Sequence, residues 1–224
     1  MLSLNRRLIS VFVLLLSAVS LVWSGVPARQ LNLTSTLAPE DMQLVSTEIN
    51  ATYAVLENRQ VRLEWPASMR IGDEYAINLE YTPFVNESAA PGQPSGYVDV
   101  YSDHNVMAEA RYEVNGVRAD PVNPIRASLI AGRGLKFTWE IQADQAGEYD
   151  SVVWLSLRYL PLDGSAPSQV PIFIQALKLH THSLLGLDAS KARLLGGLGM
   201  ILAIALELGD RFGKIRGRKE KHIA

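Results

Sequence analysis

Few residues in this chain are of a type and spacing that could do chemistry. His180 and His182 stand two apart in a stretch of alternating polarity, which puts both imidazoles on one face of a strand as a metal pair would need. A third ligand would have to come from Asp103-His104 or from the carboxylates between Asp144 and Asp150; without one, the pair reads as polar residues at a strand end near a membrane. The chain has no cysteine, so thiolate nucleophiles, cysteine-ligated zinc and disulfides are all excluded. Ser24, Ser95 and Ser165 lie near glycines, but none in the nucleophile-elbow pattern. Between residues 30 and 185 there are 19 Asp and Glu, as expected of a solvated surface, so no carboxylate pair stands out as a glycosidase site. The expectation is no catalytic residue, no cofactor and a protein that is not an enzyme, with His180 and His182 the metal candidates.

Two apolar segments must position everything else. Residues 8–23, LISVFVLLLSAVSLVW, follow Asn5-Arg6-Arg7 and precede Val26-Pro27-Ala28, so residues 1–28 read as a signal peptide cut after Ala28 or as a retained signal-anchor helix. The segment shows no polar face and no helical period of polar residues, which speaks against a core helix of a soluble protein. The second segment has only 13 uncharged residues, 194–206, about 20 Å of helix against a hydrocarbon core of about 30 Å. A transmembrane helix over 187–209 therefore has to take in Lys191, Arg193 and Glu207 near its ends, where long side chains reach the headgroups. Gly209 is the expected stop. Residues 210–224 then form a basic tail, with Arg211, Lys214, Arg216, Arg218, Lys219 and Lys221 against two acids, which the positive-inside rule keeps cytoplasmic. Ala192 with Gly196, and Gly199 with Ala203, are small residues four apart, a spacing that permits close helix approach. The partner at that face is the chain's own first helix, a second copy as a homo-oligomer, or another membrane subunit.

The body between the segments, residues 29–183, carries ten Lys and Arg over residues 30–185 against the 19 acids there, a balance that argues against nucleic acid as its partner. Its pattern has period 2. Residues 45–55, 61–65, 75–81, 96–101, 108–114, 125–130, 135–141, 149–159 and 170–180 read as nine strands with little helix between them, hence an all-β antiparallel sandwich. Asn115-Gly116 is a hairpin signal, and Gly132-Arg133-Gly134 separates two further strands. Residues 86–96, NESAAPGQPSG, read as a surface loop or as a linker between two smaller sandwiches. Sequons stand at Asn32, Asn50 and Asn86 and would matter only in a eukaryotic secretory chain.

Two phrases resemble bacterial extracytoplasmic immunoglobulin-like modules over residues 62–179. The first is Trp65-Pro66 through Met69-Arg70-Ile71-Gly72-Asp73-Glu74-Tyr75, leading to Leu79 and Pro83. The second is Phe137-Thr138-Trp139-Glu140-Ile141, then Ala146-Gly147-Glu148-Tyr149, then Val152-Val153-Trp154. The chain departs from true immunoglobulin domains in lacking the cysteine pair and in having one residue more than usual between Asp144 and Tyr149. The resemblance implies an immunoglobulin-like β-sandwich with an adhesive, scaffolding or sensing role. The expected function is a non-enzymatic subunit of a membrane or envelope assembly, held at the cell membrane with its body extracytoplasmic. The rival readings are a metal- or ligand-binding protein or hydrolase using the His180 and His182 region, and a small membrane-active effector.

Overall fold

The computed structural model describes residues 2–46, 51–55, 57–84 and 98–220. The sequons at Asn50 and Asn86, the 86–96 segment and Lys221 lie outside the described residues. The chain is mostly β with an apolar helix near each end, and it divides into two units. One comprises Met1–Pro27, Arg70–Asp73 and His182–Ala224; the other comprises Ala28–Met69 and Glu74–Thr181.

The second unit is built on two five-stranded sheets. The first has the order β1 (Gln30–Leu37), β4 (Arg59–Pro66), β6 (Glu74–Pro83), β11 (Leu135–Ala143) and β9 (Val117–Asp120). The second has the order β10 (Ile125–Ser128), β8 (His104–Val114), β12 (Gly147–Pro161), β13 (Ser168–His182) and β5 (Met69–Arg70). A small third sheet joins β2 (Gln43–Ser46), β3 (Ala51–Ala54) and β7 (Val98–Asp99). Alternation decides what is enclosed: Leu63, Leu79, Phe137 and Trp139 from the first sheet and Ala108, Val153, Leu155 and Leu157 from the second belong to one apolar cluster. A single core therefore serves both sheets.

Several expected strands are differently drawn. The 45–55 stretch holds the end of β2 and the whole of β3, which pair antiparallel, and the described part of the 96–101 stretch holds β7 and the start of a short 3-10 turn at Val100–Ser102. Strands β1 and β9 were not expected, since the Thr- and Ser-rich β1 has no strict alternation of apolar and polar residues. Asn115-Gly116 makes no hairpin: β8 pairs with β10 and β12, whereas β9 pairs with β11 in the other sheet. The dipeptide turns a corner between sheets. Gly116 has φ +80°, and a Cβ there would lie 2.8 Å from the Tyr149 ring, so glycine serves both the turn and the close approach. Tyr149 in turn donates its hydroxyl to the Gln145 carbonyl at 3.0 Å, closing the lengthened corner after Asp144.

The first unit contains α1 (Leu2–Gly25) and α2 (Ala189–Glu220). The windows Leu8–Gly25 and Ala189–Gly209 are long and apolar enough to cross a membrane. Helix α2 begins at Ala189, not at residue 187, because Asp188 caps it: its carboxylate accepts the Lys191 N–H at 2.7 Å. It also runs through Gly209 to Glu220. A mid-helix glycine costs only about 1 kcal/mol, and no proline follows to enforce a stop.

Candidate functional site

The expected small-residue face of α2 is where the first unit is knit together. Ala192 and Ala203 are buried, as is Gly196, and with Ala189 and Gly199 they form a run spaced three and four residues apart. Opposite lies α1, running antiparallel. A Cβ on Gly196 would meet the Ser17 carbonyl oxygen at 3.2 Å and the Leu21 side chain at 3.0 Å, and one on Gly199 would collide with the Ser17 hydroxyl. The partner of this face is therefore the chain's own first helix.

That helix answers with a pattern that contradicts the expectation of a featureless segment. Ser10, Ser17 and Ser24 are all buried and stand seven residues apart, so α1 does carry a helical period of polar residues. Its polar groups are hydroxyls small enough to sit inside an apolar run, which is why composition alone conceals them. Ser17 donates to the Val13 carbonyl at 2.7 Å and Ser24 to the Leu21 carbonyl at 3.0 Å, while Ser10 donates across to the Ala203 carbonyl at 3.1 Å. Each hydroxyl is satisfied and each side chain is small, so the backbones approach closely.

At the Ser24 end a charged clasp closes the pair. Arg193 donates to both Asp73 oxygens, at 2.7 and 2.9 Å, and Arg70 Nε donates to Asp73 Oδ2 at 2.9 Å. Arg70 also donates to the Trp23 carbonyl at 2.9 Å and to that of Val26, and its guanidinium stands 5.8 Å from the Trp23 ring centre. The Ile71 carbonyl accepts the Ala189 N–H at 3.0 Å. Asp188 is held below the usual carboxylate range chiefly by its bond from Lys191. The C-terminal turn of α1 thus receives a cation where its free carbonyls need one. Among the basic-tail residues, Arg211, Lys214, Arg216, Arg218 and Lys219 fall within α2.

The histidine site does not assemble around Asp103-His104. His180 pairs in register with Glu148 at one end of β12, and its Nδ1 lies 3.3 Å from the Glu148 carboxylate; His104 pairs with Pro161 at the other end. Thirteen residues of strand separate them, roughly 40 Å. His182 is exposed on the same strand as His180, and no group of three or more potential metal ligands occurs among the described residues.

His104 instead joins a polar cluster within the β unit. Its ring stands 4.9 Å from that of Tyr53 and 6.3 Å from that of Tyr159. Tyr159 donates to the Met42 carbonyl and Tyr81 to the Met42 sulfur, both at 2.8 Å, which pins the Pro39–Met42 turn. Arg59, fully buried, pairs with Glu57, donates to the Arg133 and Ile130 carbonyls and lies over the Tyr81 ring at 4.8 Å. Burial raises the Tyr81 and Tyr159 hydroxyls well above the usual phenol range, so these two pinning groups stay neutral.

The outer face of the second sheet carries a charged ladder. Glu109 accepts Arg126 at 2.5 Å, and Arg158 and Gln169 at 3.4 Å, a ladder across four strands. Burial raises the Glu109 carboxyl, but the bond and charge of Arg126, with Arg158, outweigh it and hold the group below its ordinary value. Beside the ladder, Arg111, Glu113, Trp154 and Ser156 line a shallow hollow of about 190 Å³.

No family model and no curated protein matches the chain. Among solved structures it is similar to a chain of the human zinc glycoprotein complex with prolactin inducible protein from seminal plasma, at 14% identity and TM-score 0.32 over 53% of this chain and 89% of that one. It is also similar to WR4, an MSP family member of C. elegans, at 11% identity and TM-score 0.28 over 52% and 94%. AggA, the major subunit of aggregative adherence fimbriae of Escherichia coli, gives 9% identity and TM-score 0.27 over 70% and 98%.

Proposed function

We propose that the protein is a double-pass membrane anchor carrying an extracytoplasmic immunoglobulin-like sandwich, whose outer sheet face and strand edges recognise a partner protein in a membrane or envelope assembly. The observation that carries this reading is the seam between the helices. A signal peptide destined for removal needs no partner, yet Ser10, Ser17 and Ser24 face Ala192, Gly196, Gly199 and Ala203 at matched spacing. Helix α1 is therefore retained, and Arg70 bonded to the Trp23 and Val26 carbonyls holds the segment just before the Ala28 cleavage position. Retention of an antiparallel pair puts both chain ends, with Arg6, Arg7 and the basic tail, on the cytoplasmic side. The body then faces out. Its recognition surface is non-enzymatic and works by side-chain complementarity around Trp154 and the Glu109 ladder, and by backbone pairing at the sheet edge β1.

The intact mass of the protein purified from its membrane tests the seam. The full chain is expected, and a product beginning at Arg29 would refute retention. Labelling of single cysteines placed at Ser165 and Lys219, in a chain with none of its own, tests the sidedness: Ser165 should react only from outside and Lys219 only from inside.

A further inference from the structure

The turn that leads into α2 contradicts the rule for turns in water. Leu184 and Leu187 bridge each other through N–H···O bonds of 3.3 and 2.9 Å, leaving Leu185 and Gly186 as the two corner residues. Both have positive φ, +52° and +79°, the geometry that favours Asn-Gly or Gly-Gly. Leu185 is the one non-glycine residue with positive φ among the described residues, and it is 86% exposed. A leucine here bears backbone strain and shows its whole side chain to the surroundings. Asparagine or glycine would avoid both costs in water, whereas an apolar setting would offset the second of them.

What the setting is follows from the neighbours in the same unit. Helix α2 starts four residues further on. Trp23 beneath Arg70, Lys191 paired with Asp188 at 2.8 Å, and Arg193 on Asp73 are the aromatic and basic residues that mark a headgroup level. The three cations exceed the two carboxylates by one, which suits an anionic lipid surface. We infer that the 184–187 turn lies in the lipid headgroup boundary, with Leu185 inserted among the upper acyl carbons as a third, shallow membrane contact beside the two helices.

This inference rests on the membrane reading above, and the test separates the two. The full-length chain is labelled with an environment-sensitive fluorophore at Leu185→Cys, at Leu198→Cys in α2, or at Leu162→Cys in the loop between β12 and β13, both of the latter positions being exposed. Each is reconstituted into vesicles of phosphatidylcholine and phosphatidylglycerol carrying nitroxide lipids, either near the headgroup or deep in the chains. Leu185 should lose most of its emission to the shallow nitroxide, Leu198 to the deep one and Leu162 to neither. A Leu185 label that behaves like Leu162 while Leu198 is quenched overturns the inference and leaves the membrane reading standing. A Leu185 label that is shifted to the blue yet unquenched places protein over the turn, a second copy or a partner, and also overturns it. An unquenched Leu198 removes the membrane reading and this inference together.

Discussion

Where α1 meets α2 the enclosed side chains are among the smallest available, Ser17, Gly196 and Ala203, and the large ones, Phe12, Leu15, Leu198 and Ile201, point away. In the sheets the arrangement is reversed: Trp139, Phe137 and Leu155 are enclosed, while Arg111, Lys136 and Lys178 face out. The contrast identifies a different source of stability in each unit. Burying Trp139 removes a large apolar area from water, worth about 25 cal/mol per Å². Between α1 and α2 no such gain is available if the outside is lipid, and contact distance matters instead.

The largest effect that would test this contrast is in the sheets. Trp139→Ala should cost about 3–5 kcal/mol, since the ring is fully buried among both sheets. Proteolysis should then cut the body readily while the helical pair stays protected; concerted loss of both would show that the two units share one stability. A smaller effect belongs to the seam. Gly196→Leu should cost about 1–3 kcal/mol by overpacking against the Ser17 carbonyl and Leu21. Cysteines at Ser10 and Ala203, whose parent residues are hydrogen-bonded, should crosslink in the parent and fail to do so once Gly196→Leu is added, whereas the melting of the body stays put. Undiminished crosslinking would mean that contact distance does not govern this interface.

The smallest expected effect is on the solvated face of the sheet. Glu109 has a folded value below its unfolded one of about 4.3, so its ladder stabilises the β unit above that pH and the contribution fades as pH falls through the lower value. Thermal melting of the full chain between pH 5 and pH 3 should therefore fall more steeply for the parent than for Glu109→Gln, by under about 1 kcal/mol. Equal slopes would take the ladder out of the acid response.

Strands β4, β6 and β11 were legible because each alternates apolar and polar residues, and their faces are fixed by that alternation alone. The route of the chain between sheets was not. Asn115-Gly116 fixes a local bend, but which strand β9 then pairs with depends on contacts with β11, some 20 residues further on. At the helices, Gly196 and Gly199 were legible by spacing, whereas Ser10, Ser17 and Ser24 were hidden by composition: three hydroxyls barely alter the mean hydropathy of an apolar run, and only their seven-residue period gives them away. The clasp had no sequence signal, since Arg70 ends the short strand β5 and Asp73, in the turn after it, meets Arg193 across 120 residues.

The seam also sets a timetable for biosynthesis. Ser10 and its acceptor on Ala203 are 193 residues apart, so at about 5–20 residues per second α1 emerges roughly 10–40 s before α2 exists to receive it. During that interval the helix stands alone. Ser17 and Ser24 are already bonded to carbonyls of their own helix and need nothing from α2, so only Ser10, near the chain start, lacks its partner. A first helix that satisfies most of its own hydroxyls can wait in place for a partner that is made last.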